Sequence, residues 1–118
     1  RMPHAYKGDT PPTKYNTLGL NQYPNVCISL SGQYAFSEEP YPYRDLQSWH
    51  EMLLEYFGAD RCMWATDFPW IQEDPGYGNL THVLDELLPD ISAKDRNLIM
   101  GQTARDMVWR ESKNNLRT

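Results

Sequence analysis

Between Asn25 and Gly32 the chain reads NVCISLSG, with Val26, Ile28 and Leu30 on one side of an extended segment and Cys27, Ser29 and Ser31 on the other. That period, with β-branched residues, predicts a strand that Gly32 stops. From Arg44 the period lengthens: Leu46, Trp49, Leu53, Tyr56 and Phe57 recur at three and four residues, and Gly58 follows as a C-terminal stop. An amphipathic helix of about fourteen residues is expected there. RCMWAT (61–66) predicts a second strand. Beyond the loop IQEDPGYG (71–78), Leu80, Val83, Leu84, Leu87 and Leu88 form one stripe that predicts a helix closed by Pro89. SAKD (92–95) has capping-box spacing, with Asp95 in place of Glu or Gln, and opens a helix expected to reach about Met100. Gly101 is expected to break the chain and Thr103 to cap a last helix.

The remaining segments are less regular. Residues 1–14, RMPHAYKGDTPPTK, combine three prolines, a Gly-Asp pair and no periodicity, which reads as an irregular loop. A short helix is expected over about 15–22, and the tail 113–118 is polar. The loop QYAFSEEPYPY (33–43) is rich in aromatics and proline, a composition suited to a binding surface or lid.

The order strand, loop, helix, strand, loop, helix, helix places the strands one βα unit apart and favours a parallel pair in an α/β fold. Two parallel strands leave two open edges and cannot bury the apolar stripes of three or four helices. The 118 residues are therefore expected to be one segment, the C-terminal piece of a larger α/β protein. An upstream stretch or a partner chain would supply the rest.

Composition narrows the class. Four tryptophans and eight tyrosines argue against disorder, and a net charge of −5 gives no basic stripe for nucleic acid or an anionic membrane surface. No apolar run reaches the ~18 residues that span a bilayer. Cys27 and Cys62 sit in separate apolar runs without C-x-x-C spacing, which favours two reduced core thiols over a bridge and a cytoplasmic setting.

One acid stands apart. In RCMWATDFPW (61–70) an apolar run breaks at Asp67, followed by Phe68, Pro69 and Trp70. In parallel α/β folds ligands gather at the carboxyl ends of strands, and Asp67 follows the second strand at that end. A carboxylate there can ligate a metal, accept a proton from water, or simply cap the following turn. Phe68 and Trp70 are candidate pocket walls, as are Tyr34 and Phe36 from the first loop.

Three stretches, YPNVCISLSG, EYFGADRCMWATDFPW and DISAKDRNLIMGQTARDMVW, stand in the same order and spacing as motifs of the amidohydrolase superfamily. About Gln22 to Trp109 resembles the C-terminal third of the branch called amidohydrolase family 2, metal-dependent hydrolases and decarboxylases built on a (β/α)8 TIM barrel. The resemblance implies that the two strands are the seventh and eighth of that barrel. It also implies that Asp67 ligates a divalent metal, Zn²⁺ or alternatively Mn²⁺, orients the attacking water and shuttles its proton. The family's other ligands are histidines on earlier strands. Here His50 and His82 are expected on helix surfaces, whereas His4 lies in the opening loop where it could face the site. The lysine frequent on strand seven of the family is Ser29 in this chain.

Glu38 and Glu39 are expected to be solvated, and Arg61, at the far end of its strand, to be a structural ion-pair donor. Asn79-Leu80-Thr81 reads as a helix start in preference to a glycosylation acceptor. The resemblance implies hydrolysis of a C–O or C–N bond, as in a lactone or amide. Non-oxidative decarboxylation of an aromatic or enol acid is the alternative within the family, and a non-catalytic partial barrel or docking subunit the alternative outside it. Expected partners are a small-molecule substrate and the remainder of the barrel, with a homo-oligomer as a further option.

Overall fold

The structure, a computed structural model, describes residues 17–109. The loop expected over 1–14, with His4, and the tail from 113 lie outside these residues. A 3-10 turn, Thr17–Gln22, leads to strand β1 (Ile28–Leu30) and the single-turn helix α1 (Gln33–Phe36). A 3-10 turn at Arg44–Leu46 runs into helix α2 (Gln47–Phe57), and another at Ala59–Arg61 into strand β2 (Cys62–Trp64). Then come α3 (Tyr77–Leu80), α4 (Val83–Leu87) and α5 (Ala93–Asn97), followed by a π-helical turn (Leu98–Gln102) and α6 (Thr103–Val108).

The two strands pair in parallel, with Ile28 opposite Cys62, Ser29 opposite Met63 and Leu30 opposite Trp64. Each is shorter than its apolar run. A further bond from the Ala65 N–H to the Leu30 carbonyl carries the pairing one residue past β2. A parallel pair needs a crossover, and α2 supplies it. Leu46, Trp49, Leu53 and Phe57 are buried along its inner face, together with Leu80, Val83, Leu84, Leu87 and Leu88 of the later stripe. Burial pushes the Cys62 thiol up to about 12. Cys27 and Cys62 are both unbridged.

Five local expectations change. His50 is fully buried, not on the helix surface. It stands four residues after Leu46 and three before Leu53, on the apolar stripe itself, and two hydrogen bonds satisfy its ring. The helix expected over Leu80–Leu88 is interrupted at Thr81-His82. The Thr81 hydroxyl bonds back to the Gly78 carbonyl at 2.6 Å, a local side-chain bond of the kind that competes with helix. Gly101 does not break the chain, because the π-helical turn carries it from α5 into α6. Thr103 is therefore no cap: it is buried and its hydroxyl donates to the Ala59 carbonyl at 2.6 Å, tying α6 to the turn before β2. Lastly, Arg61 donates to backbone carbonyls of Asn21, Tyr23 and Phe57 at 2.9–3.0 Å, and not to a carboxylate. Its guanidinium lies over the Phe57 ring, 5.3 Å from the centroid.

The Ser92 cap forms as the spacing predicts, its hydroxyl accepting from the Asp95 N–H at 3.1 Å. His82 is exposed, as expected. Asn79 is in the short helix α3, its amide nitrogen donating to the Pro75 carbonyl.

The Thr103 bond gives a direct test. Thr103→Val keeps the volume and removes the buried donor, so stability falls by about 1 kcal/mol. Urea unfolding should show a lower midpoint with an unchanged slope.

Candidate functional site

Because β1 and β2 are parallel, the chain leaves both at the same edge of the sheet. After β1, Gly32 turns the chain in a left-handed conformation (φ 76°) that glycine accepts without cost, and α1 follows at once. After β2, Ala65 and Thr66 lead to Asp67, which also has a left-handed backbone (φ 63°). Few side chains tolerate that region, and Asp is among them. The turn beyond it is closed by the Phe68 N–H on the Thr66 hydroxyl at 3.1 Å and the Trp70 N–H on the Asp67 carbonyl at 3.3 Å.

The two loops meet through one bond. The Tyr34 hydroxyl donates to Asp67 Oδ2 at 2.6 Å, across 33 residues of sequence. Both residues are half-buried. A phenol–carboxylate bond of this length is charge-assisted, shorter and stronger than a neutral one. It occupies one oxygen of the carboxylate, while Oδ1 has no partner among the described residues.

The other candidates differ in burial and partners. Phe36 is half-buried against the core. Phe68 and Trp70 are 61% and 74% exposed, so within this chain they stand out from the surface and do not enclose the acid. Glu38 and Glu39 are exposed. With Asp45 they form a small network, in which Asp45 Oδ2 accepts from the Glu38 N–H and Glu39 Oε2 from the Asp45 N–H. Ser29, in place of the lysine, bonds to the Ser31 hydroxyl at 3.3 Å. A groove of about 540 Å³ lined by Leu54, Leu88, Ile91 and the carboxylates of Glu51, Glu55, Asp90 and Asp95 does not include Asp67.

Sequence reasoning missed a buried polar chain behind the site. The His50 Nδ1–H donates to the Leu46 carbonyl at 2.9 Å, so Nε2 must accept, and it takes a hydrogen from Gln33 Nε2 at 3.3 Å. The same amide nitrogen donates to the Leu30 carbonyl at 3.3 Å. The signal was available in part: a histidine at stripe spacing within α2 implies burial and therefore a partner. Among the described residues no three histidine, cysteine or carboxylate side chains are close enough to hold a metal together. No described helix is long and apolar enough to cross a membrane.

A parallel βα arrangement with a carboxylate at the strand ends is the geometry of barrel and open-sheet enzymes. Comparison with known proteins makes the class specific. A model of the amidohydrolase family matches residues 3–108, and the chain belongs to that family. Its fold is similar to part of a solved amidohydrolase from Burkholderia multivorans with bound zinc, at a TM-score of 0.67 and 22% identity. The similarity covers 76% of this chain and 34% of that one, so the chain spans about a third of the solved protein. No match was found among curated proteins.

The buried chain makes stability depend on pH. Burial lowers His50 from 6.5 to about 4, since a charge there would be desolvated and Nε2–H would face the Gln33 amide hydrogens. Between those values the unfolded chain binds a proton that the folded chain refuses. Stability is thus full above pH 6.5 and declines as pH falls towards about 4. The loss is about 3 kcal/mol. His50→Met should remove this part of the profile when unfolding free energies are compared at pH 7 and pH 4.5. Asp85, held low by Arg96, contributes equally to both proteins and cancels in the difference.

Proposed function

We propose that this chain is the C-terminal part of a metal-dependent hydrolase of the amidohydrolase type. In this reading β1 and β2 are the seventh and eighth strands of the barrel, and Asp67 is both a metal ligand and the proton acceptor. The observation that carries the reading is the Asp67 carboxylate, held at the carboxyl end of a parallel strand with one oxygen bonded to Tyr34. The family supports the reaction class, and the zinc bound to the Burkholderia protein supports a divalent ion of that kind.

The donor set fits one ligand position of such an ion. Asp67 offers a hard oxygen, Oδ1, while the remaining ligands would come from residues beyond those described. A divalent cation held there would supply Lewis-acid chemistry and lower the pKa of water. Asp67 would orient the attacking water, take its proton, and pass that proton to the departing oxygen or nitrogen. The Tyr34 phenol keeps the carboxylate from rotating during the transfer. Phe68 and Trp70 are then wall residues of a pocket completed by the rest of the barrel, where they exclude water and strengthen electrostatic interactions. The substrate class is a small lactone or amide.

The decisive variant is Asp67→Asn in the complete enzyme, because asparagine tolerates the left-handed backbone that alanine does not. Hydrolysis in a screen of lactones and amides should fall by at least about 100-fold, while the melting temperatures of the two metal-free proteins should agree. Turnover at the unsubstituted rate would discard the assignment.

A further inference from the structure

The hydroxyl of Tyr34 could serve substrate or carboxylate, and its geometry favours the carboxylate. Its oxygen lies 2.6 Å from Asp67 Oδ2, so the phenolic hydrogen is already committed. The residue before it is held as firmly. Gln33 is 1% exposed, and its amide nitrogen uses its two hydrogens on His50 Nε2 and the Leu30 carbonyl. His50 is fixed in turn by the Leu46 carbonyl at the head of α2. A buried polar chain therefore runs from the crossover helix, through His50 and Gln33, to the last residue of β1. Tyr34 leaves from that point towards the end of β2.

Burying a glutamine and a histidine in an apolar core is costly unless every polar atom is paired. Apolar side chains of similar size would fill the same space without that cost. The polar pair does what they could not: its directional bonds fix where α1 begins, and hence where the Tyr34 hydroxyl falls. We propose that Tyr34 is a positioning residue for Asp67, braced by the buried Gln33–His50 pair, so that the carboxylate presents Oδ1 alone to a metal. This inference rests on the proposed role of Asp67 and adds a specific geometry to it, ligation through one oxygen and not two.

Cobalt(II) tests this without knowledge of the substrate, since its visible absorption reports ligand geometry. The complete protein is stripped of metal and titrated with cobalt against a competing chelator. Tyr34→Phe should bind cobalt about 10- to 100-fold more weakly, the usual effect of removing an outer partner of a metal ligand. Its visible bands should also shift, with its near-ultraviolet circular dichroism outside the tyrosine region unchanged. Gln33→Met should produce the same band shift to a smaller degree, and should add nothing in the Tyr34→Phe background, because both act through one contact. Unsubstituted affinity and bands in Tyr34→Phe would overturn the inference while Asp67→Asn still loses cobalt. If Asp67→Asn keeps cobalt as well, the proposed role of Asp67 fails and the inference with it.

Discussion

The parallel pairing of Ile28–Leu30 with Cys62–Trp64 is the constraint on which the other features depend. Parallel strands cannot be joined by a tight turn, so the chain must cross over, and α2 is the element that does so. The crossover has two consequences. It lays Leu46, Trp49, Leu53 and Phe57 against the sheet, which is why the helix is apolar on one side. It also brings both strand ends to the same edge, so that two loops separated by more than thirty residues emerge side by side. The Tyr34–Asp67 contact exists because of that geometry, and neither loop could make it alone.

Polar groups within this core are tolerated where their bonds do positional work. His50, Gln33 and Thr103 are the larger polar side chains buried most completely, and each is paired. Thr103 fixes the closing helix to the turn before β2. His50 and Gln33 fix the crossover helix to the turn after β1. Arg61 adds a third tie at the opposite end of the sheet, gathering carbonyls from the opening turn and from the end of α2. These ties join segments that their short helices would otherwise leave weakly ordered, since single turns such as α1 and α3 have little intrinsic stability.

Much of this order was legible in the sequence, for reasons visible residue by residue. Alternation of Ile28 and Leu30 with Ser29 marks a strand, and the Leu46–Phe57 spacing marks a helix, because burial acts on one face at a time. The Ser92 cap was legible because it is local. Features that depend on distant contacts were not. Gly101 reads as a breaker until a π-helical turn absorbs it, and Thr103 reads as a cap until Ala59 is seen to receive its hydroxyl. His50 was misplaced because its polarity was weighed above its spacing. Asp67 could be picked out by its place after a strand. Tyr34 was visible only as one of several aromatics, because no local pattern specifies a partner 33 residues away.

The same strand pairing that builds the Tyr34–Asp67 contact also shows what the arrangement requires to work. A pair of parallel strands has two open edges, and such sheets are stable only when both faces and edges are covered. At the carboxyl ends of the strands, one carboxylate cannot hold a divalent ion, which needs several ligands. Phe68 and Trp70, 61% and 74% exposed beside that carboxylate, offer apolar surface that gains free energy when covered. Under the proposed function these three demands have a single solution, because the strands that cover the edges are those that carry the missing ligands and face the aromatic rings. Metal capture and completion of the barrel are then one thermodynamic event, with the ion stabilising the assembled state in proportion to its affinity for it. The Tyr34 contact differs in kind: it is complete within this chain, so the orientation of Asp67 does not depend on the strands that would bring further ligands.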